Sequence, residues 1–437
     1  MSEWESIYTS KRVTVEEAAN TIKTGDGIFY SYGACCPMPV ITAISRRLPE
    51  LKHVNFYTGL CVFPVEYLYK PEYKPYYNHY STFYFITERF APDKEKCDFF
   101  SYQFSHTESV FTRQVEANVL IFECTPPDEE GYLNYSCYGT SVNDYIARKA
   151  DNIIAVVNEK LPYVYGDGNK IHVSKVHSIV EATHPLFNVP AQPTTELERA
   201  IAQHVIDRIP DGSTIQVGVG GLGNAICGYL DSKKDLGIYS EMFVDAMVGL
   251  VNKGVINNSK KTFLPGEITC TIGGMVDETY QFLNRNKQIR MFPMSYVNDP
   301  ANIAKNDNMV SINSTLMTDL TGQAGSETLG FKQYSGTGGQ LDFVRGACMA
   351  KGGQSFLALP STYEAKGEGP KSCIVLSLPP GEVVTVSRTD VDKVVTEYGV
   401  AELRNKSISQ RVQAMIAIAH PQFRDELAAG AKKEGLL

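Results

Sequence analysis

The sequence predicts an α/β protein made of two related open α/β domains, with bounds 1–187 and 193–437. Three closely spaced prolines, Pro185, Pro190 and Pro193, indicate the boundary, because proline can continue neither a helix nor a central strand. On both sides of this boundary, a turn, a short strand, a loop, a helix and a second strand follow one another. Strands that alternate with helices are typical of open α/β folds.

The second domain opens with a helix signal. Thr195 and Glu198 have the spacing of a capping box, in which each side chain accepts a hydrogen bond from the other residue's backbone N–H. Apolar residues accompany it at helical spacing: Leu197, Ile201, Val205 and Ile209. We therefore expect a helix at the start of this domain.

Turn, strand and loop signals alternate after that helix. The predicted elements are a turn at 211–213, a strand at 214–217, a glycine loop at 218–223, a helix at 224–230, and a strand at 236–239 that leads to Glu241. Desolvating a lone carboxylate at the end of a buried strand costs on the order of several kcal/mol unless it is paired or used. Glu241 is therefore the first candidate for a functional side chain.

The first half carries a faint copy of this pattern. The spans 25–33 and 212–220 both begin and end with glycine, and the strand end 57–59 aligns with 239–241. Such matching indicates internal duplication. In this alignment a glycine stands in the first domain where Glu241 stands in the second, which is the asymmetry expected of a site built between two halves.

Composition and charge exclude several classes of protein. The 437 residues are 43% hydrophobic, which is enough to bury cores in two or three domains. A net charge of −8 leaves no basic stripe for nucleic acid. No apolar run reaches the roughly 18 to 20 residues of a membrane span, and the first residues lack the pattern of a signal peptide. We expect a cytoplasmic protein that binds neither membrane nor nucleic acid.

The cysteines and histidines do not predict a metal site. The ten cysteines are scattered, and the adjacent pair Cys35-Cys36 lacks the spacing of a zinc site. His172, His177 and His184 lie in one short segment without a matching set of carboxylates or thiolates. We expect reduced, mostly buried thiols. The dense aromatic residues of segment 63–104 predict a core or a subunit interface, or alternatively a ligand wall.

The glycine loop allows three interpretations. Gly218-Val219-Gly220-Gly221-Leu222-Gly223 fits the dinucleotide pattern, with Glu241 in the place of a ribose-binding acid, which indicates an NAD(P)-dependent oxidoreductase. The same loop can present backbone N–H groups to an oxyanion while Glu241 attacks a thioester. It can also serve only to let a helix pack closely on a strand. The loop by itself does not choose between them.

A second glycine loop favours acyl transfer. The segment 335–347 has glycines at Gly336, Gly338 and Gly339, followed by Gln340 and the charged residues Asp342 and Arg345. A dinucleotide-binding dehydrogenase has no standard need for such a loop. We expect Asp342 and Arg345 to hold the loop through an ion pair or a helix cap, or else to contact a ligand.

Together these segments resemble the acetyl-CoA hydrolase/transferase family, and within it the 4-hydroxybutyrate and butyrate:acetate CoA-transferases. The matching blocks are Ser240-Glu241-Met242-Phe243 with Asp245 and 254–256, then 335–347, 395–401 and 418–421, supported by 126–131, 157–159, 165–167 and 183–185. The match extends over essentially the whole chain. It implies the CoA-transferase fold (NagB/RpiA/CoA-transferase-like).

The resemblance also implies a reaction. CoA would pass between a short-chain acyl-CoA, such as butyryl- or 4-hydroxybutyryl-CoA, and an acid such as acetate, through a glutamyl-CoA thioester on Glu241. The implied oxyanion and CoA contacts are Gly218, Val219, Gly220, Gly221, Leu222, Gly338, Gly339 and Gln340, with Leu316, Asp342 and Arg345 as further contacts. An acyl-CoA hydrolase of the same family and a non-catalytic CoA-binding protein stay as alternatives.

Further expectations follow from the same resemblance. The first domain would be the lid on the acyl side, and the second would carry the nucleophile and the CoA site. We expect no permanently bound cofactor and no metal, since the CoA thioester is a substrate. We expect a homodimer or homotetramer that works in butyrate and fatty acid metabolism during fermentation.

Overall fold

The structure, a computed structural model, describes residues 2–189, 192–218 and 220–437. The chain divides into two compact units, each with its own largely parallel sheet. The first unit comprises Met1–Tyr102, His106–Val189 and Cys270–Tyr296, and the second comprises Gln103–Ser105, Pro190–Thr269 and Val297–Leu437.

Two segments cross the domain bounds that the sequence predicts. Cys270–Tyr296 belongs to the first unit, although the predicted bound assigns it to the second. The Tyr138 hydroxyl donates to the Gly274 carbonyl over 2.8 Å, which ties this segment to the first unit. Gln103–Ser105 belongs to the second unit. A boundary drawn from proline spacing misses both exchanges, because they depend on contacts between residues far apart in the chain.

The sheet of the first unit has seven parallel strands in the described chain. In spatial order they are Cys97–Phe99, Tyr77–Ser81, Val54–Thr58, Gly27–Tyr30, Val119–Cys124, Asn152–Val157 and Ser178–Glu181. Central strands of a parallel sheet are covered on both faces, and Val119–Cys124 is accordingly buried along its whole length. The α-helices of five residues or more in this unit are Glu3–Lys11, Val15–Asn20, Met38–Leu51, Ile86–Phe90, Thr107–Arg113, Asn143–Ala147 and Asp277–Leu283.

Several residues of the aromatic segment 63–104 lie in the core of the first unit. Tyr67 is fully buried and stacks on Phe56 with ring centroids 4.0 Å apart. Tyr77 packs in the same cluster. Phe90 is an exception, since 72% of it is exposed. The prediction of a core is therefore confirmed for part of the segment.

The sheet of the second unit has six strands in the described chain, parallel except for the last pair. In spatial order they are Gly237–Ile238, Thr214–Val217, Met309–Ser314, Gln354–Ala358, Lys393–Thr396 and Gly399–Glu402. The α-helices of five residues or more are Glu196–Ile206, Gly221–Tyr229, Ala246–Asn252, Gln340–Met349, Ile408–Ile418 and Arg424–Lys433.

The predicted elements around the first glycine loop can be compared with the structure. The capping box of Thr195 and Glu198 is present at the start of helix Glu196–Ile206, but Leu197 lies 39% exposed rather than in the core. The strand at 214–217 is confirmed. The helix predicted at 224–230 begins earlier, at Gly221, because Gly220 takes a φ of 125° that glycine tolerates and serves as its N-cap.

Strand register supports the internal duplication. Ile28 pairs with Phe56 in the first sheet, and Ile215 pairs with Ile238 in the second, which are the positions that the sequence alignment equates. In the second sheet the chain leaves Thr214–Val217 first towards one side and later returns on the other, at Met309–Ser314. Ligands of open α/β sheets bind at such a switch point, beyond the carboxyl ends of the strands. The first glycine loop begins there.

Candidate active site

Glu241 lies just beyond strand Gly237–Ile238, and hydrogen bonds hold the backbone that precedes it. The Ser240 N–H donates to the Thr269 carbonyl over 3.0 Å. Lys261, which is 4% exposed, donates its ammonium group to the Ile238 carbonyl at 2.9 Å and to the Thr269 hydroxyl at 3.1 Å. A buried cation that ties two backbone segments together limits the positions that Glu241 can take.

The Glu241 carboxylate is contacted by a side-chain amide and by the backbone of the second glycine loop. Asn298 Nδ2 donates to Glu241 Oε2 over 2.8 Å, and the Gly339 N–H is a second donor to the carboxylate. Burial raises the pKa of Glu241 to about 7, and the negative charge of Asp342 acts in the same direction, while the hydrogen bonds from Asn298 and Gly339 oppose the rise. The result is a carboxylate more basic, and therefore more nucleophilic, than one on the surface.

Gly339 has to be glycine for a steric reason. A Cβ there would lie 2.0 Å from Glu241 Oε2 and 2.0 Å from Asn298 Nδ2. Its neighbour Gly338 has a φ of 57°, in the left-handed region that favours glycine. The two glycines therefore bring the backbone of the second loop against the carboxylate, immediately before helix Gln340–Met349.

The second glycine loop is anchored by a buried acid at each end. Glu327, which is 4% exposed, accepts from the Thr337 hydroxyl over 3.0 Å through its side chain. Burial raises the pKa of Glu327. At the other end Asp342 is fully buried and accepts from the Ser105 N–H at 3.0 Å and from the Ser105 hydroxyl at 2.7 Å.

Arg345 and Gln340 complete the surroundings of this loop. Arg345 forms an ion pair with Asp390 at 3.1 Å. Its partner is therefore Asp390 and not Asp342. Gln340 Nε2 donates to the Ser314 carbonyl over 2.9 Å, which joins the loop to the end of a central strand. Leu316 follows that strand and is bonded through its backbone N–H to the Gly325 carbonyl.

The first glycine loop lies at the amino end of helix Gly221–Tyr229. Gly220 and Gly221 are exposed and Leu222 is half-buried, while Val219 lies outside the described residues. A Cβ on Gly221 would lie 2.2 Å from Glu198 Oε1. Gly218 is closely packed as well, since its Cβ would lie 3.1 Å from Asn313 Oδ1. Within the described chain, the donors to the Glu241 carboxylate are Asn298 and Gly339 rather than this loop.

Sequence reasoning missed Asn298, Ser105, Lys261 and Glu327. Asn298 precedes Asp299, which caps the short helix Pro300–Ile303, so the local sequence signals a helix start and nothing more. The Asn298 side chain is fully buried, and its Oδ1 has no hydrogen-bond partner among the described residues. An amide whose nitrogen donates to a carboxylate while its oxygen has no partner is unusual in a core. It points to a functional position.

The described residues contain no cluster of three or more His, Cys, Asp or Glu side chains suited to a metal ion. Each of the three histidines noted in the sequence has a hydrogen-bond partner in the first unit. His177 Nδ1 accepts from the Ile153 N–H at 3.0 Å, His172 Nδ1 lies 2.8 Å from the Ser174 hydroxyl, and His184 pairs with the buried Glu123. No helix in the described part of the chain is long and apolar enough to cross a membrane.

The fold, the two glycine loops and the half-buried glutamate beside the second loop define a class that comparison with known proteins identifies. The model of the acetyl-CoA hydrolase/transferase N-terminal domain matches residues 1–191, and that of the C-terminal domain matches residues 276–431. The chain therefore belongs to the acetyl-CoA hydrolase/transferase family.

Individual relatives match over nearly their full length. The 4-hydroxybutyrate coenzyme A transferase of Clostridium kluyveri is 39% identical, with 99% of each chain covered. The butyryl-CoA:acetate CoA-transferase of Anaerostipes caccae is 34% identical, with 98% of this chain and 97% of the relative covered. Acetyl-CoA hydrolases, such as that of Yarrowia lipolytica at 27% identity over 78% of this chain, are more distant.

Solved structures agree on the fold. RipA from Yersinia pestis superposes with a TM-score of 0.92 at 33% identity, with 100% of each chain covered. The 4-hydroxybutyrate CoA-transferase of Porphyromonas gingivalis gives a TM-score of 0.82 at 33% identity, covering 99% of this chain and 100% of that one. The protein thus has the α/β CoA-transferase fold that its sequence predicts.

Proposed function

We propose that this protein is a CoA-transferase that moves CoA between a short-chain acyl-CoA, such as butyryl- or 4-hydroxybutyryl-CoA, and a carboxylic acid such as acetate. The observation that carries the proposal is the state of Glu241. Its carboxylate is half-buried, has a pKa raised to about 7, accepts from Asn298 through Oε2, and lies against the backbone of Gly339. The named transferases among its relatives support the same reaction.

The first step uses Oε1, the oxygen that does not accept from Asn298. Glu241 Oε1 attacks the thioester carbonyl, the carbon–sulfur bond breaks, and CoA leaves as a thiolate. The product is a mixed anhydride between Glu241 and the acyl group. A carboxylate is a weak nucleophile, so fixing it by two donors and a braced backbone saves the entropy of alignment.

The second step uses the oxygen that is held. The CoA thiolate attacks the glutamyl carbonyl carbon, and negative charge develops on Oε2. Asn298 Nδ2 already donates to this oxygen, and the Gly339 N–H lies beside the carboxylate, so both can stabilise the charge without rearrangement. The tetrahedral intermediate expels the acyl carboxylate and leaves a glutamyl-CoA thioester.

The acceptor acid then reverses both steps. It attacks the glutamyl-CoA thioester, forms a new mixed anhydride, and leaves as its own CoA ester when the thiolate returns. One thioester replaces another, so no external energy source is required. We assign stabilisation of the acyl oxyanion to the N–H groups at 220–222, because the amino end of a helix favours negative charge.

Other features of the proposal follow from the same resemblance. We propose that residues 1–187 contribute the acyl-side lid and residues 193–437 the CoA site, with Gly338, Gln340, Leu316, Asp342 and Arg345 near the ligand. We propose a cytoplasmic homodimer or homotetramer without a permanent cofactor, which acts in butyrate and fatty acid metabolism in fermenting cells.

The covalent intermediate provides the test. Incubation with butyryl-CoA and no acceptor acid is expected to add the mass of CoA minus water to the peptide that contains Glu241, and borohydride is expected to reduce that thioester to an alcohol. Glu241→Gln is expected to abolish both the adduct and the transfer. Glu278→Gln alters an exposed glutamate of helix Asp277–Leu283 and serves as the matched control with normal activity.

Several outcomes would reject the proposal. An adduct on a cysteine would make a thiol the nucleophile. Normal transfer by a Glu241→Gln protein shown to be free of deamidated enzyme would remove the glutamate from the mechanism. Thermal stabilisation by NAD(H) or NADP(H) and not by acyl-CoA would restore the oxidoreductase interpretation. Release of free CoA without transfer to any acid would make the enzyme a hydrolase.

A further inference from the structure

The helix that follows the second glycine loop lacks an ordinary N-terminal cap. Gly339 is its N-cap and Asp342 is its N3 residue. An acidic N3 side chain commonly reaches back to accept a hydrogen bond from the N-cap N–H. Here the Gly339 backbone approaches the Glu241 carboxylate instead: a Cβ on Gly339 would lie 2.0 Å from Glu241 Oε2, and the Gly339 N–H lowers the pKa of that carboxyl group. Glu241 thus occupies the place that the helix's own N3 acid takes in a capping box.

Ser105 keeps the N3 acid away from that position. Both Asp342 carboxylate oxygens accept from Ser105, one from its N–H at 3.0 Å and the other from its hydroxyl at 2.7 Å. Asp342 is fully buried, and Ser105 lies in the short segment Gln103–Ser105 that belongs to the second unit. Without this partner, the N–H of Gly339 is the nearest donor that a capping box offers to Asp342.

We propose that Ser105 and Asp342 are positioning residues for Glu241. Ser105 turns the Asp342 carboxylate away from the Gly339 N–H, which leaves this donor to Glu241, while the Asp342 charge keeps the nucleophile basic. The inference rests on the proposed function for its effect on catalysis, and on the geometry alone for its effect on the Glu241 carboxyl group.

The charged groups around both carboxylates are few. Asp342 is influenced by Ser105, by the cation of Arg345 and by the anion of Asp299, and burial is the main cause that raises its pKa to about 7. Glu241 is influenced by Asn298, Gly339 and Asp342. Changes at Ser105 and at Asp342 therefore act on Glu241 in different ways, and this allows a structural role to be separated from a positioning role.

Two variants are expected to shift the Glu241 pKa in opposite directions. Ser105→Ala removes the hydroxyl that holds one Asp342 oxygen and keeps the backbone N–H that holds the other. The released oxygen can then compete for the Gly339 N–H, so Glu241 loses part of a stabilising donor and its pKa rises. Asp342→Asn removes a negative charge, while an amide can still accept from the Ser105 N–H and donate to its hydroxyl, so the pKa of Glu241 falls. Infrared spectroscopy of δ-¹³C-labelled glutamate, assigned through Glu241→Gln, measures both shifts without turnover.

The kinetic expectation differs between the variants as well. Ser105→Ala is expected to lower kcat by between about tenfold and a hundredfold, the upper value being typical for loss of one preorganised donor, with KM changed less than about twofold. Asp342→Asn is expected to move the acidic limb of the kcat/KM profile to lower pH. Ser109→Ala is the matched control, since that exposed hydroxyl bonds only the His106 carbonyl, at 2.9 Å, and activity should stay normal.

The outcomes separate this inference from the proposed function. If wild-type protein transfers no CoA, the proposed function fails, and the infrared shifts still decide the inference. If both variants lower the melting temperature but leave the Glu241 pKa unchanged, or if Ser105→Ala keeps normal kcat, the pair is only a structural contact and the inference is overturned. Opposite shifts of the Glu241 pKa support it.

Discussion

The two units end corresponding strands in different ways. In the first unit the strand end 57–59 finishes on Gly59, and a Cβ there would lie 2.5 Å from the Thr82 hydroxyl oxygen and 2.9 Å from the Phe83 nitrogen. Thr82 cannot move aside easily, because it is bonded to the Tyr32 hydroxyl at 2.6 Å. In the second unit the aligned residue is Glu241, whose side chain has room and two donors.

The loops that follow the first strand of each unit differ in the same sense. In the first unit a Cβ on Gly33 would lie 2.4 Å from the Tyr138 ring, so this crevice is filled by the protein itself. In the second unit Gly220 has no atom within 4 Å of an added Cβ. Duplication thus produced one copy closed by packing and one copy left open for chemistry.

Replacing Gly339, which contacts the carboxylate, should impair catalysis by the second unit. A methyl group in Gly339→Ala would collide with both Glu241 Oε2 and Asn298 Nδ2. We expect kcat for CoA transfer to fall by about a hundredfold to a thousandfold, the range for loss of a preorganised oxyanion donor, while the protein stays folded. Steady-state kinetics and circular dichroism measure the two effects.

A second Gly→Ala change provides the control for this prediction. Gly249 lies in helix Ala246–Asn252 and has no atom within 4 Å of an added Cβ. Gly249→Ala should keep full activity and gain up to about 1 kcal/mol of stability from helix propensity. If Gly339→Ala behaves like Gly249→Ala, the close approach of the second loop to Glu241 is not needed for the reaction.

Adding a methyl group at the corresponding strand end of the first unit should lower stability and leave catalysis unchanged. Gly59→Ala overpacks the space beside Thr82, and we expect a loss of about 1 to 3 kcal/mol in the free energy of unfolding. The value of kcat per folded molecule should change less than twofold. Urea denaturation followed by activity at matched folded fractions measures this. A hundredfold fall in kcat would mean that the first strand end also takes part in catalysis.

Local patterns explain what the sequence predicted correctly. The capping box at Thr195, the strand at 214–217 and the position of Glu241 after a strand all depend on residues close together in the chain. The second loop was predicted in the same way, because a run of glycines before a helix can be recognised directly in the sequence. The parts of the site that depend on short-range spacing could therefore be predicted.

Contacts between distant residues explain what the sequence did not predict. Ser105 meets Asp342 across 237 positions, and Asn298 meets Glu241 across 57. Neither serine nor asparagine stands in a distinctive pattern. Leu197 has helical spacing but lies at an exposed end of its helix. Tertiary packing determines the surroundings of these residues. A short stretch of sequence does not contain that information.

The last expected effect is the smallest and concerns the stability cost of Glu241. Its pKa is raised from the ordinary 4.5 to about 7, so the folded protein holds this proton more tightly than the unfolded chain does between those values. The free energy of unfolding therefore falls as pH rises from about 4.5 to 7, and the loss stays constant at higher pH.

Glutamine does not titrate and can accept from the same two donors. Glu241→Gln should thus match wild type near pH 4.5 and exceed its melting temperature by a few degrees at pH 8. Asp342 titrates in both proteins, and Glu241→Gln also removes the repulsion between the two carboxylates, which raises the stability of the variant at pH 8 in the same direction. A Glu241→Gln protein that is less stable than wild type at pH 8, or a difference that does not vary with pH, would mean that the carboxylate is stabilised by its donors rather than retained at a cost to the fold. The expected result would distinguish the two strand ends in energetic terms, since Gly59 belongs to a packed core while Glu241 lowers stability at the pH where it is ionised for attack.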